Sequence, residues 1–359
     1  MKAKGPILLL ITALLWGMAF VAQTQAANEV DPFTFNASRN FIGALFLTGV
    51  ILVRKRLGQD RPPVPIRRGR EGESRCRRGR SAVRAEGASS DVDPDSIPSE
   101  TSDCRKSHPG ASYSLGAYPR RTLLVGGFLC GIVLCASSFL QQSGISAYPD
   151  GAAASGRSGF VTATYMIMVA VFAMFMGKKA HPVVFGAVVV AMVGMYLLCV
   201  PNGFENVYWG DVLVLICAVG YALHIIVIDR FTQVDGVRLS RVQLIVAGSI
   251  SLVGALLFEN PEPAHIFAAI VPILYAGILS DGVAFTLQII AQQTTDPTVA
   301  SIIMSLESVF AALGGWVILG ESLGVVELAG CSLVFLAVLM AQVPDWMENA
   351  RKKSLEFKG

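Results

Sequence analysis

The stretch TVASIIMSLESVFAALGGWVIL, residues 298–319, decides the class of this protein: 22 residues contain a single ionisable group, Glu307. As a helix rising 1.5 Å per residue it would be roughly 33 Å long, enough to cross the ~30 Å hydrocarbon core of a bilayer. A helix that is apolar on every side must be buried in a large core or in lipid. The rest of the chain argues for lipid. Of 359 residues, 53% are apolar and 15% charged, and the mean hydropathy is +0.56. The charges are also unevenly spread. Residues 54–121 hold 25 of the 55 Lys, Arg, Asp and Glu side chains, and the other 291 residues carry 30. That density is far below the roughly one in four of a soluble domain. The expected fold class is therefore an all-α integral membrane protein.

Working outward from 298–319, apolar stretches of spanning length lie at about 6–27, 34–53, 122–142, 158–177, 181–200, 209–228, 241–258, 266–290 and 325–343. This makes ten expected transmembrane helices. The distribution of basic residues sets their orientation. With the N-terminus in the cytoplasm and the spans alternating, 27 of the 29 Lys and Arg residues lie inside, leaving Arg39 and Arg157 outside. Both termini are thus expected to be cytoplasmic, in a multi-pass protein of the cell membrane. Lys2, Lys4, the apolar run and Thr24-Gln25-Ala26 could also read as a signal peptide. The run is long for that, and its removal would leave one half of the repeat below unpaired.

Residues 54–121 are a different material. Arg67-Arg68-Gly69-Arg70 and Arg75-Cys76-Arg77-Arg78-Gly79-Arg80 are followed by an acidic Ser/Pro stretch from Asp91 to Asp103. Without apolar periodicity the segment cannot bury enough surface to offset its ordering entropy, and disorder is expected. Three readings remain open: a solvated cytoplasmic loop, a surface for anionic headgroups (or even RNA), or sequence outside native coding, as a shifted reading frame would produce.

Leu140-Gln141 recurs as Leu287-Gln288. Each is followed by a small-residue helix entry, Ala154-Ser155 or Val299-Ala300-Ser301, then a Gly turn, Gly177-Lys178-Lys179 or Gly320-Glu321-Ser322, and a span ending in Val200-Pro201 or Val343-Pro344. Two repeats of five spans are expected, 1–53 with 122–201 and 202–344, followed by a basic cytoplasmic tail at 345–359. An odd number of spans per repeat inserts the second half upside down, the plan of many secondary transporters.

On these residues the chain resembles the EamA family of the drug/metabolite transporter superfamily. The resemblance is carried by Leu15-Trp16-Gly17, Arg39, the two Leu-Gln pairs, Asp296-Pro297-Thr298-Val299-Ala300-Ser301, and above all Ser305-Leu306-Glu307-Ser308-Val309-Phe310-Ala311-Ala312 with Gly320-Glu321. It covers nearly everything except 54–121. The chain departs at Ser308, where family members commonly have Pro, with Met166 near the corresponding place in the first half. It departs again at Lys178, where an acid is usual. The resemblance implies a carrier, exporter or permease for small polar metabolites such as amino acids or related solutes, with no bound cofactor. Its partners would be a small-molecule substrate and membrane lipids; a homodimer is compatible with this plan, and no nucleic-acid partner is expected.

Within the spans, three ionisable groups stand out. Glu307 lies near the bilayer midplane, where a charged carboxylate costs on the order of a few kcal/mol. Such a group either carries protons or hydrogen-bonds helices together. Asp281 sits in a span interrupted by Pro272, Gly277 and Gly282, whose backbone can open towards a cavity; alternatively it reaches the inner interface. Arg39 can neutralise an anionic substrate or anchor to headgroups. His224, Tyr165, Gln142, Gln288 and Trp16 are candidates for the cavity wall. Ala173 with Gly177, Ala187 with Ala191, and Ser251 with Ala255 read as close-packing seams.

Seven cysteines show no CxxC spacing and four histidines are scattered, so no metal or haem site is expected. GxGxxG, GxxxxGK[ST] and HExxH are absent, which argues against an enzyme and against ATP-driven transport. The rival is a non-transporting membrane protein, a sensor or a lipid-modifying enzyme.

Overall fold

The computed structural model describes residues 4–58, 118–149, 153–177, 182–199 and 208–320, with 325–326, 329–330, 332–337, 339–340 and 343. The chain divides into two compact units, Met1–Asp60 with Arg121–Gly359, and Arg61–Arg120. The expectations for the insert between Gly58 and Tyr118, for the turns at Lys178-Lys179 and Glu321-Ser322, for Val200-Pro201 and for the tail 345–359 concern residues outside the described ones. Of the expected tenth span, 325–343, only short pieces are described.

Every regular element among the described residues is helical. The first three are α1 (Lys4–Ala27), α2 (Pro32–Arg56) and α3 (Arg120–Ser146); α4 (Ala154–Ala163) and α5 (Tyr165–Phe175) share one span, and α6 is Pro182–Cys199. Then come α7 (Trp209–Arg230), α8 (Gly236–Phe258), α9 (Pro263–Ala268) and α10 (Ile270–Leu274). A π-helical stretch, Tyr275–Ala284, continues from α10 and leads into α11 (Phe285–Gln292). The last are α12 (Pro297–Met304) and α13 (Glu307–Gly314), which runs on as the π-helical Gly315–Leu319. Among the described residues eight stretches are long and apolar enough to cross a membrane, from Gly5–Ala27 to Pro297–Leu319. The expected fifth span appears as α6, a shorter apolar helix. The fold is thus that of a multi-pass, all-helical membrane protein.

Glycines set how closely these helices approach. A Cβ on Gly131 of α3 would lie 2.8 Å from the Gln243 carbonyl of α8, and one on Gly43 of α2 would lie 2.7 Å from the Gly277 carbonyl. Such backbone contact is how helices associate in lipid, where no hydrophobic force drives them together. Gly177 departs from the seam expected of it. It has φ +74° and open space around it, so it serves as the left-handed turn that ends α5.

Helix ends are tied by charge. Pro32 opens α2, and the Phe33 and Thr34 N–H groups donate to the Glu259 carboxylate at the end of α8, each at 2.7 Å. Arg54 in the last turn of α2 donates to Asp235, the N-cap of α8, at 3.0 and 3.3 Å. Near the start of α7, Asp211 accepts two bonds of 2.7 Å from Arg157 of α4, one of 2.8 Å from the Tyr148 hydroxyl and one of 2.8 Å from the Tyr208 N–H. This cluster joins three helices through one carboxylate. Arg157→Ala is expected to lower stability by about 1.5–3 kcal/mol, the range for hydrogen bonds to charged groups. Arg157→Lys should recover only part of it, because a lysine cannot make the paired contact. Thermal denaturation of the two variants in detergent checks the order.

Candidate functional site

The interior polar groups come together where helices depart from regular geometry. Thr164 separates α4 from α5: its N–H and hydroxyl both bond the Val161 carbonyl, at 3.3 and 2.6 Å. Ser305 and Leu306 separate α12 from α13 in the same way. Leu306 N–H donates to Ile303 and Ser308 N–H to Ser305, three residues back, at 3.3 and 3.1 Å. The Ser301, Ser305 and Ser308 hydroxyls each donate to the carbonyl three residues earlier, at 2.7–2.8 Å. Hydroxyls bonding back to the preceding turn tighten and bend a helix. Tyr165 and Glu307 are therefore each the first residue of a new helical segment. The third irregularity is the stretch Tyr275–Ala284, which contains Asp281. Wide π turns of this kind are frequent at functional sites. Here Gly277 lets the stretch meet α2, since a Cβ there would lie 2.8 Å from the Arg39 carbonyl.

These irregular points surround a cavity. Of the expected residues, Glu307, Asp281, Arg39, His224, Tyr165, Gln288 and Trp16 line it. Arg39 and Asp281 are 2% and 1% exposed, with Arg39 Nε 3.6 Å from Asp281 Oδ2. The headgroup reading of Arg39 and the interfacial reading of Asp281 are thereby overturned, because each charge turns inward to the other. The Arg39 guanidinium also lies 5.4 Å from the centre of the Phe35 ring. Glu307 is 3% exposed and Tyr165 2% exposed, and the Tyr165 hydroxyl and Glu307 Oε1 are buried without a hydrogen-bond partner. Both amide atoms of Gln288 are likewise unpartnered. His224 Nε2 donates to Gln243 Oε1 at 3.1 Å, and its ring meets Phe285 edge-on at 5.6 Å. Trp16 packs against the same Phe285 at 5.0 Å.

Gln142 is placed elsewhere. Its Nε2 donates to the Gln23 carbonyl at 3.2 Å, and Gln141 faces the cavity instead, bonded to Thr162 at 3.2 Å and accepting from Tyr221 at 3.1 Å. The signal for Gln141 lay in the repeat, where Leu140-Gln141 pairs with Leu287-Gln288. Tyr221, one turn before His224, could have been found from its helical spacing. Phe20, Gln23, Thr162 and Ser280 also line the cavity and carry no signal in the sequence that separates them from packing residues.

The Glu307 segment is held from two sides. A Cβ on Gly17 of α1 would lie 2.7 Å from the Glu307 carbonyl and 3.0 Å from the Ala311 nitrogen, and one on Gly159 of α4 would lie 2.7 Å from the Ala311 Cβ. Gly17 follows Trp16 directly, so one turn of α1 both lines the cavity and grips the helix that carries the acid. The arrangement offers one guanidinium and two carboxyl groups out of water, with unsatisfied amides and aromatic walls around them. That can hold a small polar solute and move a proton. Among the described residues no group of three or more His, Cys, Asp or Glu side chains could hold a metal ion.

Known proteins resemble this chain. The model of the EamA-like transporter family matches residues 3–66 and 208–342. An "uncharacterized transporter" of Archaeoglobus fulgidus is 28% identical over 188 residues, 52% of this chain and 60% of that protein. The "uncharacterized inner membrane transporter YedA" of Escherichia coli K12 is 19% identical over 198 residues, 55% of this chain and 65% of that one. The chain thus spans 60–65% of the length of these relatives. A crystal structure superposes with a TM-score of 0.62 at 15% identity, over 94% of this chain and 98% of the other, a likeness of fold alone.

Proposed function

Because the chain belongs to the EamA-like transporter family, we propose that it is a secondary transporter of small polar metabolites, amino acids or related solutes among them, working by alternating access between two inverted five-helix repeats. The repeats would be 1–53 with 122–201 and 202–344, the termini cytoplasmic and the membrane that of the cell. The observation that carries this reading is the buried Glu307, with an unpartnered oxygen, at a helix break in the wall of a cavity that also holds Arg39 and Asp281. Intramembrane ionisable groups are expensive, and they mark substrate and proton pathways.

The two halves support the repeat in parallel. Tyr165 and Glu307 each open a helical segment after a break, and Gly177 and Gly320 each end the following segment with φ near +70°. Discontinuous helices meeting at a central cavity are the recurring site of alternating-access carriers. With no nucleotide-binding motif in the chain, the driving force would be a gradient.

The test has two steps. Metabolite profiles of a deletion strain and an overexpressing strain are compared, and solutes that change in opposite directions are taken into proteoliposomes containing the full chain. Saturable, protein-dependent flux of at least one of them is expected. Flux equal to that of protein-free vesicles for every such solute would remove the transport reading.

A further inference from the structure

We propose, resting on the carrier reading, that the cavity takes carboxylate-bearing substrates at Arg39, and that Asp281 is an internal stand-in that occupies the substrate carboxylate's place while the cavity is empty.

Three charge pairs in this protein make the comparison. Arg157 and Asp211 close to 2.7 Å in two parallel bonds, and Arg54 and Asp235 close to 3.0 and 3.3 Å. Both are partly exposed, with side chains 14–25% accessible. Arg39 and Asp281, at 3% and 1%, are the most buried of the three and the most open, at 3.6 Å. A structural pair shows the opposite trend, because removal from water is tolerable only where the directional bonds are complete. Here Arg39 Nε and both Asp281 carboxylate oxygens are buried without a hydrogen-bond partner. The charges neutralise each other while the guanidinium's fork stays unfilled. Charge-assisted bonds to a carboxylate normally close to about 2.7–2.9 Å.

The backbones cannot shift to close this gap. A Cβ on Gly43 would already lie 2.7 Å from the Gly277 carbonyl and 3.2 Å from the Asp281 Cβ, so α2 and the π-helical stretch are in contact. A mobile carboxylate from a ligand meets no such restriction. It can complete the bonds that Asp281 leaves open at 3.6 Å, with Asp281 rotating away as it enters. Among the described residues Arg39 is the one guanidinium or ammonium lining the cavity, and Trp16 and Phe285, which also line it, supply an apolar wall for the remainder of the molecule. The site therefore selects the carboxylate over the amide of the same shape, since an amide cannot offset the charge that Asp281 gives up.

The probes are benzoate, benzamide and benzylammonium, three benzene derivatives of similar size and different charge, the first two of the same shape. Each is titrated against the purified full chain in detergent, and the midpoint of thermal denaturation is followed. Benzoate is expected to raise the midpoint saturably, and the other two are not. In Asp281→Asn the internal competitor is gone, so benzoate should bind ~10-fold more tightly. If that variant unfolds because Arg39 is left unpaired, benzoate should restore its folding. The double variant Arg39→Gln, Asp281→Asn keeps the shape without the charges and should no longer distinguish benzoate from benzamide. Equal effects of benzoate and benzamide on the native chain would overturn the proposal. So would stabilisation by benzylammonium alone, weaker or unchanged benzoate binding in Asp281→Asn, or a benzoate preference that survives in the double variant. Binding without flux in proteoliposomes would sink the carrier reading and leave the carboxylate site standing; flux with no benzoate effect would do the reverse.

Discussion

Glu307→Gln in proteoliposomes is expected to lose accumulation against an imposed pH difference while retaining exchange of substrate without one. Glutamine keeps the shape of the side chain and most of its bonding capacity, but cannot change charge. For one proton per substrate, a one-unit pH difference is worth about 1.4 kcal/mol, a ~10-fold concentration ratio. The variant should equilibrate its substrate and go no further. Exchange is expected to survive because the segment that carries residue 307 is otherwise intact: the Ser301, Ser305 and Ser308 hydroxyls bond backbone carbonyls and do not depend on the carboxylate. A Glu307 that merely joins helices predicts the contrary. Glutamine would then be tolerated, as removing a buried charge often is, and accumulation would still follow the gradient. That result would shift the coupling role to Asp281, the other acid of the cavity.

The second large effect is expected at Gly17. Gly17→Val places its branched carbons against the Phe310 Cβ, the Glu307 carbonyl and the Ala311 nitrogen. Two of those three are backbone atoms and cannot rotate away. Overpacking of a tight core costs typically about 1–3 kcal/mol, and here relief requires α1 to move off α13. Trp16 would be carried with it. The variant should denature at a lower temperature, and any protein that remains folded should lose transport. Gly159→Ala is the parallel test from α4, because its Cβ would lie 2.7 Å from the Ala311 Cβ, an atom fixed to the backbone that gives way only if α4 or α13 shifts. If Gly17→Val were as stable and active as the native chain, the close approach of α1 to the Glu307 segment would have no functional weight.

Much of this organisation could be read before any coordinates. Lipid is a demanding solvent: every spanning segment must be apolar and long, so the helices Gly5–Ala27 to Pro297–Leu319 are legible one at a time. For the same reason a carboxylate inside such a segment stands out, and Glu307 and Asp281 were identifiable without knowing what surrounds them. The weakness around Asp281 was also visible, in Gly277 and Gly282. Its form, a π-helical stretch, was not.

What the tertiary structure decided is direction. Successive residues on a helix point about 100° apart, so a choice between Gln141 and Gln142 depends on how α3 is rotated, and that rotation is set by Gly127 and Gly131 meeting α8. The inward turn of Arg39 is of the same kind. Its distance from the end of α2 could not reveal that Gly43 and Gly277 draw Asp281 to within 3.6 Å of it. Gly177, read as a packing residue, became a turn because its neighbours are absent rather than close. Local composition states what a residue can tolerate, whereas its partners follow from helix contacts between residues far apart in the chain, and those contacts leave no mark on the sequence around any one of them.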